Sequence, residues 1–373
     1  MTLFLSIILT IWGVMHLYVF WRLASVPWLA VQISRPMLIA AAIALWASYP
    51  VARILYSWKL DAAARPLEIA GATWIGILFL LFAVLLVADV VTLGGYLVPN
   101  LLTRIPGWAL VAAGLLSIVA LVQGIRPPVL RDYEVWLAGL PPERDGLVLV
   151  EISDLHLGTL INKGWLTRLV RRVNDLRPDL VAVVGDVVDG NVERVEAMRP
   201  VLAQLRAPLG VWAVTGNHEY YAGEEQCVRL FQDAGFTVLR DAWAEAASGL
   251  VLAGVDDLTA GRQFGSNRHS IESALATRPP GAVILLSHSP LQAELAARLG
   301  AGLMLSGHTH NGQLWPFSYL VRLRYPLLGG RHEVAGMPVI VCRGTGTWGP
   351  RMRLWRPSEI VRIKLRAAAE RPR

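Results

Sequence analysis

The sequence contains little cysteine and, in its first third, little charge. Two of the 373 residues are cysteines, Cys227 and Cys342, which excludes a disulfide framework and a zinc site built on thiolates. Charged residues make up 17% of the chain, against about 25% in an average soluble domain. The deficit lies in residues 1–125, which hold six basic and three acidic side chains, against 29 and 25 afterwards. This distribution excludes a wholly soluble protein, a disordered chain and a purely membrane-embedded transporter.

The charge-poor third contains four long apolar stretches, Leu3–Trp21, Leu38–Tyr56, Ile69–Ala88 and Trp108–Ile125. A helix needs about 20 apolar residues to cross a bilayer, so we predict an all-α module of about four transmembrane helices over residues 1–127. Ionisable residues inside a membrane indicate transport. His16 has no evident partner in the sequence, and Asp89 lies near a helix end, where interfacial exposure is expected. The sequence therefore favours an anchor.

The orientation follows from basic residues near the predicted spans. With four spans, the side shared by the N-terminus and the C-terminal domain carries five Lys or Arg residues, and the other side carries three. The positive-inside rule then favours a cytoplasmic C-terminal domain. No basic segment precedes Leu3, which argues against a cleaved signal peptide. We expect a multi-pass protein of the bacterial cell (inner) membrane.

Residues 128–373 have the composition of a folded domain. The prolines Pro127 and Pro128 end the last apolar stretch, because consecutive prolines cannot continue a helix. Apolar strand patterns then alternate with helical patterns, which predicts an α/β domain built largely from βαβ units.

Polar side chains follow five of the predicted strands. In chain order they are Asp154 and His156, then Asp186 and Asp189, then Asn217 and His218, then His288, and finally His308 and His310. Each motif alone is compatible with an ordinary turn or helix cap. Ligands of open α/β sheets bind beyond the carboxyl ends of the strands, so all five together predict one site.

The chemistry of these side chains indicates metal ions. Carboxylates, imidazoles and one amide, without a thiolate, suit Mn²⁺, Fe or Zn²⁺ better than Ca²⁺ or a structural zinc. They are too many for one ion and enough for two if one carboxylate bridges them. Two ions about 3.5–4 Å apart clamp a phosphoryl group and acidify a water. The predicted reaction is hydrolysis at phosphorus.

These motifs resemble the signature of the calcineurin-like metallophosphoesterases. The matching blocks are Asp154-x-His156, Gly185-Asp186-x-x-Asp189, Gly216-Asn217-His218-Glu219, His288 and Gly307-His308-x-His310. The resemblance covers about residues 130–365 and is closer to membrane-associated members, similar to the bacterial YaeI and YkuE phosphoesterases and the animal transmembrane protein with metallophosphoesterase domain. It implies a β-sandwich flanked by helices, which refines the simpler parallel-sheet prediction.

The resemblance also implies a role for each residue. The first metal would be held by Asp154, His156, Asp186 and His310, and the second by Asp186, Asn217, His288 and His308. His218 would face the substrate phosphate and stabilise or protonate the leaving oxygen, and Asp189 would orient His218. Mn²⁺ is the favoured ion. Glu219 and Asn311 depart from the commonest family pattern, and we expect them to bear on the shape of substrate that the site accepts more than on activity.

The distance along the chain between the membrane and the site favours a lipid-linked substrate. Pro128 precedes Asp154 by 26 residues. Residues 315–328 form an aromatic and aliphatic stretch near Arg322, Arg324 and Arg331, suited to acyl chains or the bilayer interface, although a packed loop is equally compatible. Some proteins that resemble this chain cleave UDP-2,3-diacylglucosamine in lipid A biosynthesis, which is the favoured specific substrate. A phosphodiesterase of unidentified substrate is the broader hypothesis.

Two other classes of function compete. A nuclease of the same superfamily would need a basic stripe, but residues 126–373 have a net charge of only +4 without such a stripe, so no nucleic-acid partner is expected. A catalytically inactive membrane sensor or scaffold would have lost some of the ligands, and the sequence retains all of them.

Overall fold

The computed structural model describes residues 2–101, 103–260 and 270–368. Two compact units are formed, one by Met1–Ile125 with Gly349–Leu354, the other by Arg126–Trp348 with Trp355–Arg373. The segment Gly349–Leu354 thus belongs to the first unit, although it follows most of the second in sequence.

The first unit is helical, with the helices α1 (Thr2–Ala24), α2 (Pro27–Gln32), α3 (Arg35–Ser57), α4 (Asp61–Thr92) and α5 (Ile105–Ile125). Among the described residues, α3, α4 and α5 are long and apolar enough to cross a membrane. The predicted span Leu3–Trp21 falls on α1, where the side chains of residues 3–5 and 8 lie outside the described set. The chain is therefore a membrane protein with three candidate spans, and the side on which the second unit lies stays a prediction.

Both ionisable residues questioned in the sequence have partners in the helical unit. Asp89 accepts hydrogen bonds from Arg22 Nη2 at 2.7 Å and from the Tyr18 hydroxyl at 2.6 Å. His16 Nε2 lies 3.0 Å from the carbonyl oxygen of Ala42. His16 thus has a partner that the sequence did not show, because a helix distant in sequence supplies it, and the interfacial position of Asp89 stays a prediction. Paired groups of this kind fit a structural role.

The segment Gly349–Leu354 packs closely against α4 and α5. A Cβ atom at Gly76 would lie 2.6 Å from Met352 Sδ, and one at Gly124 would collide with the Arg351 backbone. The backbone N–H of Arg353 donates to the carbonyl oxygen of Ala120 at 2.9 Å. Small residues on the two helices therefore admit this segment.

The second unit contains two six-stranded mixed sheets. The first has the order β1-β12-β2-β3-β4-β5, with strands Val129–Ala138, Glu359–Ala368, Val148–Ile152, Leu180–Val184, Val211–Val214 and Thr237–Val238. The second has the order β10-β11-β9-β8-β7-β6, with strands Gly330–Val334, Met337–Val341, Leu303–Ser306, Ala282–Leu286, Leu250–Gly254 and Ala242–Ala247. The two sheets confirm the sandwich and correct the prediction of a simple parallel sheet.

The carboxyl ends of the parallel strands lie at the same edge of each sheet. In the first sheet β2, β3 and β4 are parallel, and in the second β7, β8 and β9 are parallel. Antiparallel pairing comes from β12 with β2, from β10 with β11 and from β6 with β7. The polar motifs follow strands of the parallel sets, which is why they converge.

The helices of this unit are α6 (Lys163–Asp175), α7 (Val192–Glu196), α8 (Arg199–Leu202), α9 (Asn217–Ala222), α10 (Glu224–Asp233), α11 (Ser270–Leu275), α12 (Ala293–Arg298) and α13 (Phe317–Arg324). Residues of α6, α7, α8 and α10 pack on the outer face of the first sheet, and residues of α11 and α12 pack on that of the second. Alternate residues of β2 serve different cores: Val150 and Ile152 pack under the helices, while Leu149 packs between the sheets with Ile284 and Ile340. The two-residue period of a strand thus gives an α/β/β/α layering.

Glu151 is a buried acid within this core. Its side chain is fully buried on β2, and neither carboxylate oxygen has a hydrogen-bond partner. Burial raises the pKa of Glu151 well above its usual value, and the charges of Glu359 and Asp154 raise it further. Glu151 is therefore held in its neutral form when the protein is folded.

We predict that Glu151→Gln stabilises the protein, and more so at high pH. The pKa of Glu151 is higher in the folded state than in the unfolded state. The protein is therefore most stable with respect to this group below the unfolded-state pKa, and it loses that stability as the pH rises towards the folded-state pKa. Glutamine is neutral at every pH and avoids this loss. Thermal unfolding of the full-length protein in detergent should give a Tm at least about 2–4 °C higher at pH 8, with a smaller gain at pH 5. A larger gain at pH 5 would contradict the assignment.

Candidate metal centre

The structure brings all nine predicted site residues to one edge of the sandwich. Six of them follow β2, β3 and β4 of the first sheet, and the last two of these six, Asn217 and His218, begin α9. The other three follow β8 and β9 of the second sheet. Asp154, His156, Asp186, Asn217, His288 and His310 are buried. The opposed sheets thus place carboxylates and imidazoles against one another in a shielded pocket.

One group of potential ligands consists of Asp154, His156 and His310. Their ligand atoms all lie within 4.8 Å of one another. The Nε2 atoms of the two histidines are 3.0 Å apart, and His310 Nε2 is 3.2 Å from Asp154 Oδ1. Two imidazole nitrogens and a carboxylate oxygen converging in this way offer a divalent cation three donors.

A second group consists of Asp186, His288 and His308, again with ligand atoms within 4.8 Å of one another. His288 Nδ1 lies 2.8 Å from the carbonyl oxygen of Val184, which directs Nε2 towards Asp186 Oδ2 at 3.1 Å. Asp186 Oδ2 is also 3.8 Å from His156 Nε2 in the first group. Asp186 therefore stands between the two groups, as a bridging ligand would.

Asn217 gives an independent test of the fit to metal ions. Its Oδ1 is buried and has no hydrogen-bond partner. A buried amide oxygen without a hydrogen-bond partner is costly unless another group satisfies it, and a cation can do so. The residues present therefore fit a dinuclear centre, the site typical of the family that the sequence resembles.

The protonation states of three of these residues suit metal binding. Burial lowers the pKa of His156 to about 3 and that of His308 to about 4, so both imidazoles are neutral and offer lone pairs. Burial acts to raise the pKa of Asp186, but the neighbouring His288 and His218 outweigh it and hold the pKa well below its usual value. Asp186 is thus a carboxylate anion at neutral pH. His288 would have to release a proton to bind a metal ion, because burial lowers its pKa but Asp186 outweighs this and raises it well above its usual value.

His218 and Asp189 form a pair beside the two groups. His218 Nδ1 lies 3.2 Å from Asp189 Oδ1, and the His218 ring stands edge-on to His156 with centroids 4.6 Å apart. Burial lowers the pKa of His218, but Asp186 and Asp189 outweigh this and raise it to about 9. His218 is therefore a cation at neutral pH, whereas the potential ligands His156 and His308 are neutral.

The backbone around the site is strained. Five non-glycine residues of the two groups have positive φ angles: Asp154 at 54°, His156 at 47°, Asp186 at 52°, His308 at 68° and His310 at 47°. This left-handed region is unfavourable for residues with a Cβ, and such strain persists where the surrounding structure enforces it. Close packing contributes, since a Cβ at Gly216 would collide with Asp186 and one at Gly307 with Ser153.

Glu219 supports this strained backbone. Its carboxylate accepts hydrogen bonds from the backbone N–H groups of Asp186 and Val188, both at 2.9 Å, and of Gly216 at 2.7 Å. Glu219 is fully buried, so the expectation that it shapes the substrate was wrong. The sequence does contain a signal for this role. Glu219 lies three residues after Gly216, the N-cap of α9, which is the position of the acid in a capping box.

Three aromatic residues of the site were missed. The Tyr325 hydroxyl lies 2.8 Å from His308 Nε2, with the rings 4.8 Å apart. Tyr221 and Trp348 approach the His218 ring, with centroids 5.5 and 6.4 Å away, and both are about half exposed. The spacing could have indicated Tyr221, because it lies three residues after His218 on α9, whereas Tyr325 and Trp348 come from distant parts of the chain.

Comparisons with known proteins agree with this geometry. The family model for calcineurin-like phosphoesterases matches residues 147–312. A transmembrane protein with metallophosphoesterase domain from Danio rerio is 36% identical over 272 residues, covering 70% of this chain and 62% of that protein. An uncharacterized metallophosphoesterase from Aquifex aeolicus is 36% identical over 229 residues, covering 60% of this chain and 87% of that protein.

The uncharacterized metallophosphoesterase YkuE from Bacillus subtilis is 31% identical over 182 residues, covering 47% of this chain and 62% of that protein. The chain thus spans less than two thirds of the Danio rerio and Bacillus subtilis relatives. It matches most of the Aquifex aeolicus protein, and the matched family segment contains the strand-end motifs from Asp154 to His310. The resemblance seen in the sequence is confirmed: the chain belongs to the calcineurin-like phosphoesterase family.

Proposed function

We propose that the protein is a membrane-anchored phosphohydrolase with two metal ions, which cleaves a phosphodiester or pyrophosphate bond. The supporting observation is the pair of ligand groups, in which Asp186 of one group lies 3.8 Å from His156 of the other, with cationic His218 beside them. We assign residues 1–127 to the anchor and residues 128–373 to the catalytic domain, and place that domain in the cytoplasm from the charge bias near the spans. The ligand groups are complete among the described residues, which favours an enzyme over an inactive scaffold.

The ligand assignment combines the two groups of nearby ligand atoms with the ligand set that the family resemblance implies, which adds Asn217 and shares Asp186. Asp154, His156 and His310 would hold one ion and Asn217, His288 and His308 the other, with Asp186 shared. When bound, two such ions clamp a phosphoryl group and activate a water. Mn²⁺ is the proposed ion, since oxygen and imidazole donors without thiolate suit it.

His218 is the proposed general acid. Asp189 holds its Nδ1 side, so the opposite ring nitrogen, Nε2, is free to donate a proton to the leaving oxygen. The carboxylates that raise its pKa keep the donor proton in place at neutral pH. The half-exposed Tyr221 and Trp348 rings beside it offer apolar faces to the leaving group.

Removing Asp186 or His218 is expected to abolish most of the activity. The full-length protein in detergent should hydrolyse bis(p-nitrophenyl) phosphate with Mn²⁺. Asp186→Asn should lower the rate at least about 10²-fold because both ions lose a ligand, and His218→Asn about 10²- to 10⁴-fold through loss of the acid. His332→Asn, which alters a histidine on β10, is the matched control and should keep full activity. Full activity in either site variant would refute the proposal.

Tyr325→Phe is expected to weaken one metal ion selectively. Because the hydroxyl occupies His308 Nε2, the Nδ1 atom is left for the ion, and losing such a supporting bond costs about 10- to 100-fold in metal affinity. Titration calorimetry with Mn²⁺ should show one weakened and one unchanged site. Tyr319→Phe, which alters an exposed tyrosine of α13, should leave both unchanged. Equal weakening of both sites in Tyr325→Phe would contradict the assignment.

The proposed substrate is UDP-2,3-diacylglucosamine, whose pyrophosphate would be cleaved in lipid A biosynthesis. In support, α5 ends at Ile125 and β1 begins at Val129, so only three residues connect a candidate span to the catalytic unit. A substrate embedded in the same bilayer would be within reach of a tethered site.

Mass spectrometry can test this substrate directly. The full-length protein would be offered UDP-2,3-diacylglucosamine and common phospholipids in parallel, with Asp186→Asn as the blank. We expect UMP and the lipid monophosphate as products. Phospholipid turnover alone, or no turnover of the nucleotide lipid by protein active on bis(p-nitrophenyl) phosphate, would exclude it.

A further inference from the structure

Helix α13 exposes most of its large side chains. Among the described residues of the α/β unit, eight large apolar side chains are exposed, and four of them lie in this eight-residue helix. Leu323 is 84% exposed, Tyr319 64%, Leu320 59% and Phe317 37%. A monomeric soluble protein rarely clusters exposed apolar side chains, so this cluster indicates a surface that binds something.

The apolar face of α13 points away from its own domain. Ser318 is the buried residue of the helix. At about 100° per residue, Tyr319, Leu323, Leu320 and Phe317 cover an arc of about 160° centred opposite Ser318. A helix that packs on a core has the reverse arrangement, with its apolar face inward. The outward face therefore matches an external apolar medium.

The charged residues within and next to this helix in sequence are all basic. Residues 310–331 contain Arg322, Arg324 and Arg331 and no Asp or Glu. Arg322 and Arg324 are exposed at the end of α13, and the Arg324 guanidinium lies 5.2 Å from the Tyr325 ring centroid. Bulky apolar side chains with flanking arginines characterise helices that lie in the interface of an anionic bilayer.

We propose that α13 lies in the headgroup region of the bilayer, with Tyr319, Leu320 and Leu323 entering the acyl boundary and the arginines meeting lipid phosphates. A bilayer is the expected partner of α13 because the same chain has three helices that are apolar enough to span a membrane. The last of them is joined to β1 by three residues. Tyr325, which follows α13 directly, contacts the metal-site residue His308. Lipid headgroups would thus gather beside the site, an inference that goes beyond the proposed hydrolysis.

A fluorophore on α13 tests this contact. Leu323→Cys in the full-length protein would be labelled with the environment-sensitive dye NBD and placed in nanodiscs of phosphatidylcholine and phosphatidylglycerol. Cys227 and Cys342 are buried, so the unsubstituted protein is the labelling blank. Because Leu323 makes few contacts, its replacement should not disturb folding. We expect blue-shifted emission and at least twofold quenching by lipids that carry a doxyl group near the headgroup.

The matched control is Glu294→Cys on α12, a side chain that is 78% exposed. Its label should stay red-shifted and unquenched. An unquenched label at Leu323, or equal quenching at both positions, would overturn the proposal. A blue-shifted label without lipid quenching would instead show that a protein or a second copy of the chain covers α13, which also overturns it.

The arginines are tested in the same assay. Arg322→Gln combined with Arg324→Gln in the Leu323→Cys protein should reduce quenching in anionic nanodiscs towards the level seen in pure phosphatidylcholine. Unchanged quenching would exclude the charge contribution. None of these measurements depends on catalysis, so they remain informative whether or not the protein proves to be a phosphohydrolase.

Discussion

The buried carboxylate of Asp186 is the group around which the site is arranged. One oxygen lies 3.1 Å from His288 Nε2 and 3.8 Å from His156 Nε2, and the other accepts the His218 backbone N–H at 2.8 Å. Moving an anion out of water costs several kcal/mol unless opposite charges and hydrogen bonds compensate. Since Asp186 follows a strand of the first sheet and His288 a strand of the second, the two sheets must pack together for His288 to compensate this charge.

Holding these groups together strains the backbone. Asp154, His156, Asp186, His308 and His310 all adopt left-handed conformations, each costing on the order of 1–3 kcal/mol. The surrounding structure enforces them: Glu219 fixes the loop at Asp186 through three backbone N–H groups. The apolar core between the sheets supplies the rigid support. Catalytic geometry and stability are therefore coupled through the same strand ends.

The two units differ in how much of their apolar surface is buried. In the α/β unit, large apolar side chains are mostly buried in three cores, with α13 as the main departure. In the helical unit, many such side chains face outward, as expected where lipid replaces water.

Composition and local motifs account for a good deal of this protein. The charge deficit of residues 1–125 indicates membrane helices because charged side chains are costly in lipid. Asp, His and Asn after successive strands indicate a metal site because parallel strands end at one edge. These inferences need only nearby residues and the period of a strand, so the chain itself carries them.

The tertiary structure decides the strand order and the side-chain pairs that involve residues distant in sequence. The insertion of β12 between β1 and β2, which gives mixed sheets, joins segments more than 200 residues apart. The pairing of Asp89 with Arg22, and of His308 with Tyr325, likewise depends on how elements pack. The outward apolar face of α13 is visible only once Ser318 is known to face inward. Residue type sets what a side chain can do, and the tertiary fold decides which partner it meets.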